Sequence, residues 1–344
     1  MIEIAINPTN TRDIVTHISE YLNGSIIERW GEAVMTVDNE NAQGKITFIP
    51  FDWGVNLLDF NITFRKEFVL RIEAEEFNPV RFVYNLEGYF LHRFGVQNTE
   101  YRTEQFQSVI FTNKTNGVNF MHFPKGVRLK TNVIQIVRKE FLKKRTSNVS
   151  TLNKKLYEVF VDTDHENRFV HYGELNLKMA DLVKSIHNIK SKGMLRILKV
   201  EAKIYEILSL HIQQHDKSTN GKRLPKSLTK SELKIIKKVS DVIRKEPSQQ
   251  YTLDKISLDY GLSQAKLQEG FKFLYTRTVT EFIRHVRIEL ARDLMRNSDL
   301  NISQIVYTIG FTSRSYFSKI FKEKYGISPN EFKKQIVSKV SVAA

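Results

Sequence analysis

Apolar residues recur along this chain with two different periods. Between about residues 25 and 138 they come in short runs rich in Ile, Val, Phe and Thr: Lys45–Phe51, Leu57–Phe64, Phe68–Ala74, Val80–Leu86, Gln107–Thr112, Gly117–Phe123 and Thr131–Val137. Turn formers separate them, among them Asn78-Pro79, Asn113, Asn116-Gly117 and Pro124-Lys125-Gly126. The pattern predicts β-strands, and short strands so spaced predict a sandwich or barrel. From about Lys139 the period becomes helical. Val149–Phe160 and Glu174–His187 are predicted helices, and Met194–Ile212 carries the clearest stripe: Leu195, Leu198, Ala202, Tyr205, Leu208 and Ile212, at steps of three and four. Such a stripe packs on another helix, of the same chain or of a dimer mate. The polar stretch His215–Lys230, with its Gly and Pro, reads as a linker.

Beyond that linker one pattern occurs twice. Thr252–Tyr275 reads TLDKISLDYGLSQAKLQEGFKFLY, and Asn301–Pro329 reads NISQIVYTIGFTSRSYFSKIFKEKYGISP. Each is a short amphipathic helix, a turn at Gly and a second helix opening at a hydroxyl residue, which is the pattern of a helix-turn-helix. In the first copy Leu253, Ile256 and Leu258 are expected on the apolar side of the support helix, with Gly261 at the turn and Ser263 as N-cap. Leu267, Phe271 and Leu274 are expected inside, leaving Ala265, Lys266, Gln268, Glu269 and Lys272 outside. In the second copy Asn301 and Gln304 form a capping-box pattern, followed by Ile302, Ile305 and Ile309, a turn at Gly310 and a cap at Thr312 or Ser313. Phe317, Ile320 and Phe321 then face inward, with Arg314, Ser315, Ser318, Lys319 and Lys322 outside. Arg and Lys donate to guanine edges, and Ser and Gln pair with several bases. Between the copies Val279–Arg296 is expected to form a helix, with Phe282, Val286, Leu290 and Leu294 inward and Arg284, Arg287, Arg292 and Arg296 more exposed. One such copy is a weak signal, because any small helical pair with a Gly turn matches it; two copies point to double-stranded DNA.

Charge agrees. The 344 residues carry 53 Lys+Arg against 38 Asp+Glu, a net +15. From Lys230 onward there are 21 basic and 12 acidic residues, net +9, which leaves 32 and 26, net +6, for residues 1–229. A basic module of this kind suits a polyanion. There is no cysteine, so disulfides, thiolate metal sites and cysteine nucleophiles are excluded. The start MIEIAINPTN has no signal-peptide pattern, and no window approaches ~18 uninterrupted apolar residues. A cytoplasmic protein with no membrane partner is expected.

The residues Ile302–Phe332, ISQIVYTIGFTSRSYFSKIFKEKYGISPNEF, closely resemble the second reading unit of the AraC/XylS family of bacterial transcription regulators. The likeness covers roughly Leu233–Lys334. It implies a seven-helix fold with two helix-turn-helix units, base contacts from Ala265, Gln268 and Glu269 in the first reading helix, and from Arg314, Ser315, Ser318 and Lys319 in the second. Two departures stand out: Glu269 lies where many members have Arg, and Val306 replaces a small Ala at a packing point. The segments GMLRILKVEAKIYEILSLHIQQ and LQEGFKFLY also look like a narrower branch that includes the regulator of ferric-pyochelin uptake. The resemblance implies a homodimer, contact with RNA polymerase, more often activation than repression, and an N-terminal cupin-like barrel that senses a small molecule, a siderophore-like effector being one option.

The expected architecture is α+β: a β-rich, cupin-like sensor at 1–138 with appended helices, a coupling or dimerisation segment at 139–214, a linker at 215–230 and an all-α DNA-binding domain at 231–338. Within the sensor Arg81, Tyr84, Tyr89, His92 and Arg93 are candidate effector contacts among dense aromatics. His92 and His122 lack the spacing of a metal cupin, so structural histidines are expected, with neither metal nor cofactor. No Ser/His/Asp set, phosphate-binding Gly loop or HExxH motif points to an enzyme, and the alkyl-transfer repair proteins that share this DNA module need a cysteine this chain lacks. The rival reading is a ligand-independent architectural or silencing DNA binder whose barrel serves only dimerisation.

Overall fold

The computed structural model describes residues 1–75, 77–96, 99–144, 148–219, 225 and 227–334. The chain forms two compact units, Met1–Arg223 and Leu224–Ala344.

The first unit begins β1 (Ile2–Ile6), α1 (Thr11–Leu22), β2 (Ser25–Arg29), β3 (Glu32–Asp38), β4 (Ala42–Pro50), β5 (Val55–Phe64), β6 (Phe68–Ala74) and β7 (Val80–Glu87). It continues β8 (Phe90–Phe94), β9 (Tyr101–Thr103), β10 (Ser108–Thr112), β11 (Gly117–Phe123) and β12 (Arg128–Ile136). Then come α2 (Arg138–Phe141), a 3-10 turn at Val149–Thr151, α3 (Lys154–Val161), β13 (Phe169–Tyr172), α4 (Leu177–His187) and α5 (Gly193–Thr219).

The strands make two sheets, ordered β1-β6-β11-β8-β9 and β13-β10-β7-β12-β5-β4-β3-β2. Only β1 with β6 pairs in parallel; the other recorded pairs are antiparallel. The sheets share one core, in which Leu70, Ile72, Phe90, Met121 and Phe123 of the smaller meet Phe60, Ile62, Val83, Phe111 and Val133 of the larger; Ile14, Val15, Ile18 and Leu22 of α1 join it. The other face of the larger sheet is covered too. Phe82, Tyr84, Ile110, Ile134 and Ile136 pack against α3, α4 and α5 through Leu156, Phe160, Met179, Val183, Val200, Ile204 and Ile207. The unit therefore has three layers, and β7 is buried on both faces along nearly its whole length, Arg81 and Asn85 included.

Several expectations need correction. The segment 139–214 does not stand apart from the β-rich part, because β13 completes the larger sheet by pairing with β10 and the helices cover that sheet. Val149–Phe160 is two pieces, since Asn153 caps α3 by accepting from the Leu156 amide. The expected stripe of α5 is misphased: Val200, Ile204, Ile207, Leu208, His211 and His215 are buried, whereas Leu195, Leu198 and Ala202 are exposed. Residues 215–219 are helix rather than linker, because His215 is buried against His171 and Phe169 of β13, with ring centroids 4.6 and 5.9 Å away. Residues 220–224 and 226 of the expected linker, and 335–338 of the expected C-terminal domain, lie outside the described residues. Strands β1 and β13 and helix α1 were not anticipated; β2, β3 and β9 lie in the stretch expected to form strands but were not distinguished within it, although Ala33, Met35 and Val37 of β3 do alternate.

The second unit is helical: α6 (Lys230–Lys245), α7 (Leu253–Tyr260), α8 (Gln264–Tyr275), α9 (Val279–Asn297), α10 (Ile302–Thr308) and α11 (Arg314–Tyr325). Among the described residues no helix of either unit is long and apolar enough to cross a membrane.

Candidate nucleic-acid interface

Each helix-turn-helix is set by local chemistry. Thr252 caps α7, which ends at Gly261 in the left-handed region, and Ser263 caps α8 by accepting from the Lys266 amide. Asn301 and Gln304 form a reciprocal capping box on α10. The chain turns at Gly310 (φ +82°), where a Cβ would lie 2.6 Å from the Ser248 carbonyl oxygen, so both conformation and space demand glycine. Of the two candidate caps for α11 it is Ser313 that accepts, from the Tyr316 amide.

Packing then aims the reading helices. Leu267, Phe271 and Leu274 of α8 are buried, while Gly270 lets α8 approach α6 so closely that a Cβ would meet Ile236 Cδ1 at 2.0 Å. In the support helix only Ile256 is buried; Leu258, expected inside, is exposed, and Leu262 of the turn fills the core instead. The second helix-turn-helix buries Ile302, Ile305, Val306, Ile309, Phe317, Ile320 and Phe321 in one cluster with Ile288, Ala291 and Met295 of α9. The other end of α9 serves the first helix-turn-helix: the Phe282 ring lies 5.2 Å from Phe271 and 4.6 Å from Tyr275. One continuous helix thus joins both cores. Its phase differs from expectation, with Val279, Phe282, Ile283, Ile288, Ala291 and Met295 buried and Val286, Leu290 and Leu294 half-buried. Glu289 on α9 accepts from Lys324 and Tyr325 of α11; burial raises its pKa, but these bonds outweigh that and hold it below the usual carboxylate value.

The predicted contact residues divide unequally. On α11, Arg314, Ser315, Lys319 and Lys322 are exposed and Ser318 is half-buried. Arg314 makes one long hydrogen bond, 3.3 Å to Ser303 Oγ. On α8, Ala265, Glu269 and Lys272 are exposed, and Lys266 and Gln268 half-buried. Three of these α8 residues already have partners. Lys266 Nζ is 2.6 Å from Glu232 Oε1, the Gln268 side chain accepts from the Val279 amide at 3.1 Å, and Glu269 accepts from Ser227. The bond from Lys266, with that from the Thr229 amide, holds the Glu232 carboxyl down to about 2.

Two residues near this surface escaped the sequence reading. Tyr316 is exposed on α11, its hydroxyl 3.4 Å from Arg284, an aromatic on the outward face being the available signal. Arg287, expected outside, donates to the Pro247 and Gln249 carbonyls at 2.8 Å and stacks 5.4 Å from the Phe311 ring. Its partners are distant in sequence, so no local pattern announces it.

The effector candidates of the first unit do not converge on one cavity. Arg81 and His92 point into the core between the sheets. Tyr84 points to the opposite face of β7, where its hydroxyl donates to the Asn176 carbonyl at 2.8 Å. Arg93 packs 3.8 Å over Phe120 on the outer face of the smaller sheet, and Tyr89 sits under Arg102 at 3.5 Å. Strand alternation separates Arg81 from its near neighbour Tyr84, a consequence unavoidable for residues at odd spacing on one strand. His122 bonds Glu67 at 2.7 Å, and the described residues contain no group of three or more potential metal ligands.

Residues 257–335 match a family model described as a helix-turn-helix domain. A histidine kinase, P4, of Formosa agariphila is 30% identical over 134 residues, covering 38% of this chain and 10% of that protein. The transcriptional activator CfaD of Escherichia coli is 26% identical over 160 residues, 46% of this chain and 55% of that one. A solved AraC-type regulator from Chromobacterium violaceum is 23% identical, with a TM-score of 0.28 over 31% of this chain and 92% of that one. The chain spans between a tenth and about half of the length of the curated relatives named here. With its matched model, its paired cap–turn–cap units and the residues Ile302–Phe332, the C-terminal part of this chain is an AraC/XylS-type helix-turn-helix domain.

Proposed function

We propose that this chain is a sequence-specific, DNA-binding transcriptional regulator, acting as an activator, whose N-terminal unit responds to a small-molecule effector. The observation that carries the reading is the pair of helix-turn-helix units built on one helix, α9, with Arg314, Ser315, Lys319 and Lys322 exposed on the second reading helix. Helix α9 has 19 residues, about 28 Å of rise. That is close to one turn of DNA, ~34 Å, so two heads held at its ends suit successive major grooves on one face. The first head supports register and backbone contact more than base reading, since Lys266, Gln268 and Glu269 have partners within the protein. Contact with RNA polymerase belongs to the same proposal. So does self-association, for which the exposed Leu195 and Leu198 of α5 are the candidate surface.

The test is selection of bound duplexes from a random pool by the full chain, followed by fluorescence anisotropy on the enriched sequence. One motif with two half-sites about ten base pairs apart is the expected result. Equal affinity for the enriched and a scrambled duplex at several salt concentrations would leave only an architectural DNA binder.

A further inference from the structure

Arg81 on β7 is 2% exposed, and neither its Nε nor its two Nη atoms has a hydrogen-bond partner. Burial, and then the neighbouring buried Arg138, lower its pKa to about 10, so it remains cationic at neutral pH. A buried guanidinium with no carboxylate is among the most destabilising features a fold can retain. Two further polar groups face the same inter-sheet core. His92 on β8 is 0% exposed; its Nδ1 lies 3.0 Å from the Tyr172 hydroxyl and its Nε2 has no partner. Burial lowers the pKa of that ring to about 4, opposed by the approach of Asn119 and helped by Arg81, so the ring is neutral. Asn119 on β11 is 0% exposed; its side chain approaches the His92 ring but completes no hydrogen bond there or elsewhere. Arg81 and His92 meet around one aromatic: the Phe111 ring lies 4.3 Å from the His92 ring and 5.7 Å from Arg81 Cζ.

We propose that Arg81, His92 and Asn119 form the binding site for a small organic carboxylate. The guanidinium fork pairs with the carboxylate in bidentate fashion, Asn119 and His92 Nε2 hold a second polar atom of the ligand, and Phe94 and Phe111 flank its apolar body. An open cavity lies beyond two intervening side chains. Gln135 is the strand neighbour of Arg81 on β12, and its side chain accepts from Thr11 Oγ1 at 2.6 Å. Thr11, with Phe77 and Phe48, lines an open cavity of about 640 Å³. For its regulatory consequence the inference rests on the effector reading above; the carboxylate site itself does not.

The test is thermal unfolding and titration calorimetry of the full chain with acetate, hexanoate, benzoate and succinate, each beside its uncharged amide, and with sulfate. At least one carboxylate should raise the melting temperature in a concentration-dependent way while its amide does not. Arg81→Met should weaken that carboxylate about tenfold or more. Arg81→Lys, which keeps the charge without the fork, should fall between the two. Should Arg81→Met fail to fold, Asn119→Leu and the carboxylate–amide contrast in the unaltered chain decide. The proposal is overturned if no carboxylate binds, if amides bind equally, if sulfate alone binds, or if Arg81→Met binds unchanged. Arg81-dependent binding of a carboxylate that leaves DNA affinity unaltered keeps the site and removes the effector reading. A neutral ligand that alters DNA affinity where no carboxylate binds does the reverse.

Discussion

Replacing Arg314 with Ala tests whether the second head reads bases. Arg314 is the first residue of α11, exposed, and Ser313 rather than Arg314 supplies the cap, so the helix should survive the change. Its single intramolecular bond, 3.3 Å to Ser303, is longer than the usual 2.9–3.0 Å. Releasing it should cost well under ~1 kcal/mol. A bidentate contact to guanine discriminates by about 1–3 kcal/mol, roughly 5- to 150-fold in Kd. The assay is anisotropy with the selected operator, an operator altered at one position and a random duplex, over a range of salt. Arg314→Ala should lose about that factor on the operator, lose little on the random duplex and keep the salt slope. Lys266→Ala, whose side chain is already paired with Glu232 at 2.6 Å, should cost less on the operator than Arg314→Ala. A uniform loss on every duplex, with the salt slope reduced by about one, would show that Arg314 contacts phosphate, and the base-reading argument would fail.

Two further expectations concern stability. Thr278 and Glu281 form the capping box of α9, so Thr278→Ala should destabilise the C-terminal unit by about 1 kcal/mol in urea unfolding followed by helical signal; an unchanged midpoint would deny the cap its role. His211 is fully buried 5.6 Å from Phe82, neither ring nitrogen has a partner, and burial depresses its pKa to about 3. Its stability contribution is therefore complete above the ordinary value of 6.5 and falls as pH drops from there toward about 3. Between pH 7 and 5 the linkage amounts to about 2 kcal/mol. His211→Leu should flatten the acid limb of the N-terminal unit's urea midpoints by about that much, and an equally steep limb in the variant would contradict it.

The strongest local signals were the ones that could be read from the chain. Ser263, Asn301 and the two turn glycines announce helix starts and stops because capping and left-handed turns depend on a few adjacent residues. Strands such as Phe68–Ala74 and Gly117–Phe123 were legible for a related reason, being apolar runs bounded by turn formers. Short or polar-faced strands, among them β2, β9 and β13, carry too little pattern and owe their pairing to neighbours.

Helix α5 shows where local pattern runs out. Apolar residues cover a wide arc of it, and both the expected stripe through Leu195 and Leu198 and the observed one through Val200 and Ile204 satisfy helical periodicity. Docking on the larger sheet selected one arc. The same holds for the polar residues. The sequence by itself determined that two helix-turn-helix units occur and which side chains on the second one face outward, because cap, turn and amphipathic period are written within about 25 residues. Only the tertiary structure decided that Lys266, Gln268 and Glu269 are engaged by Glu232, Val279 and Ser227, and that Arg81, His92 and Asn119 share one core while Tyr84 leaves it. Partners so far apart along the chain meet through strand pairing and helix packing, and no residue's own neighbours encode which distant group will face it.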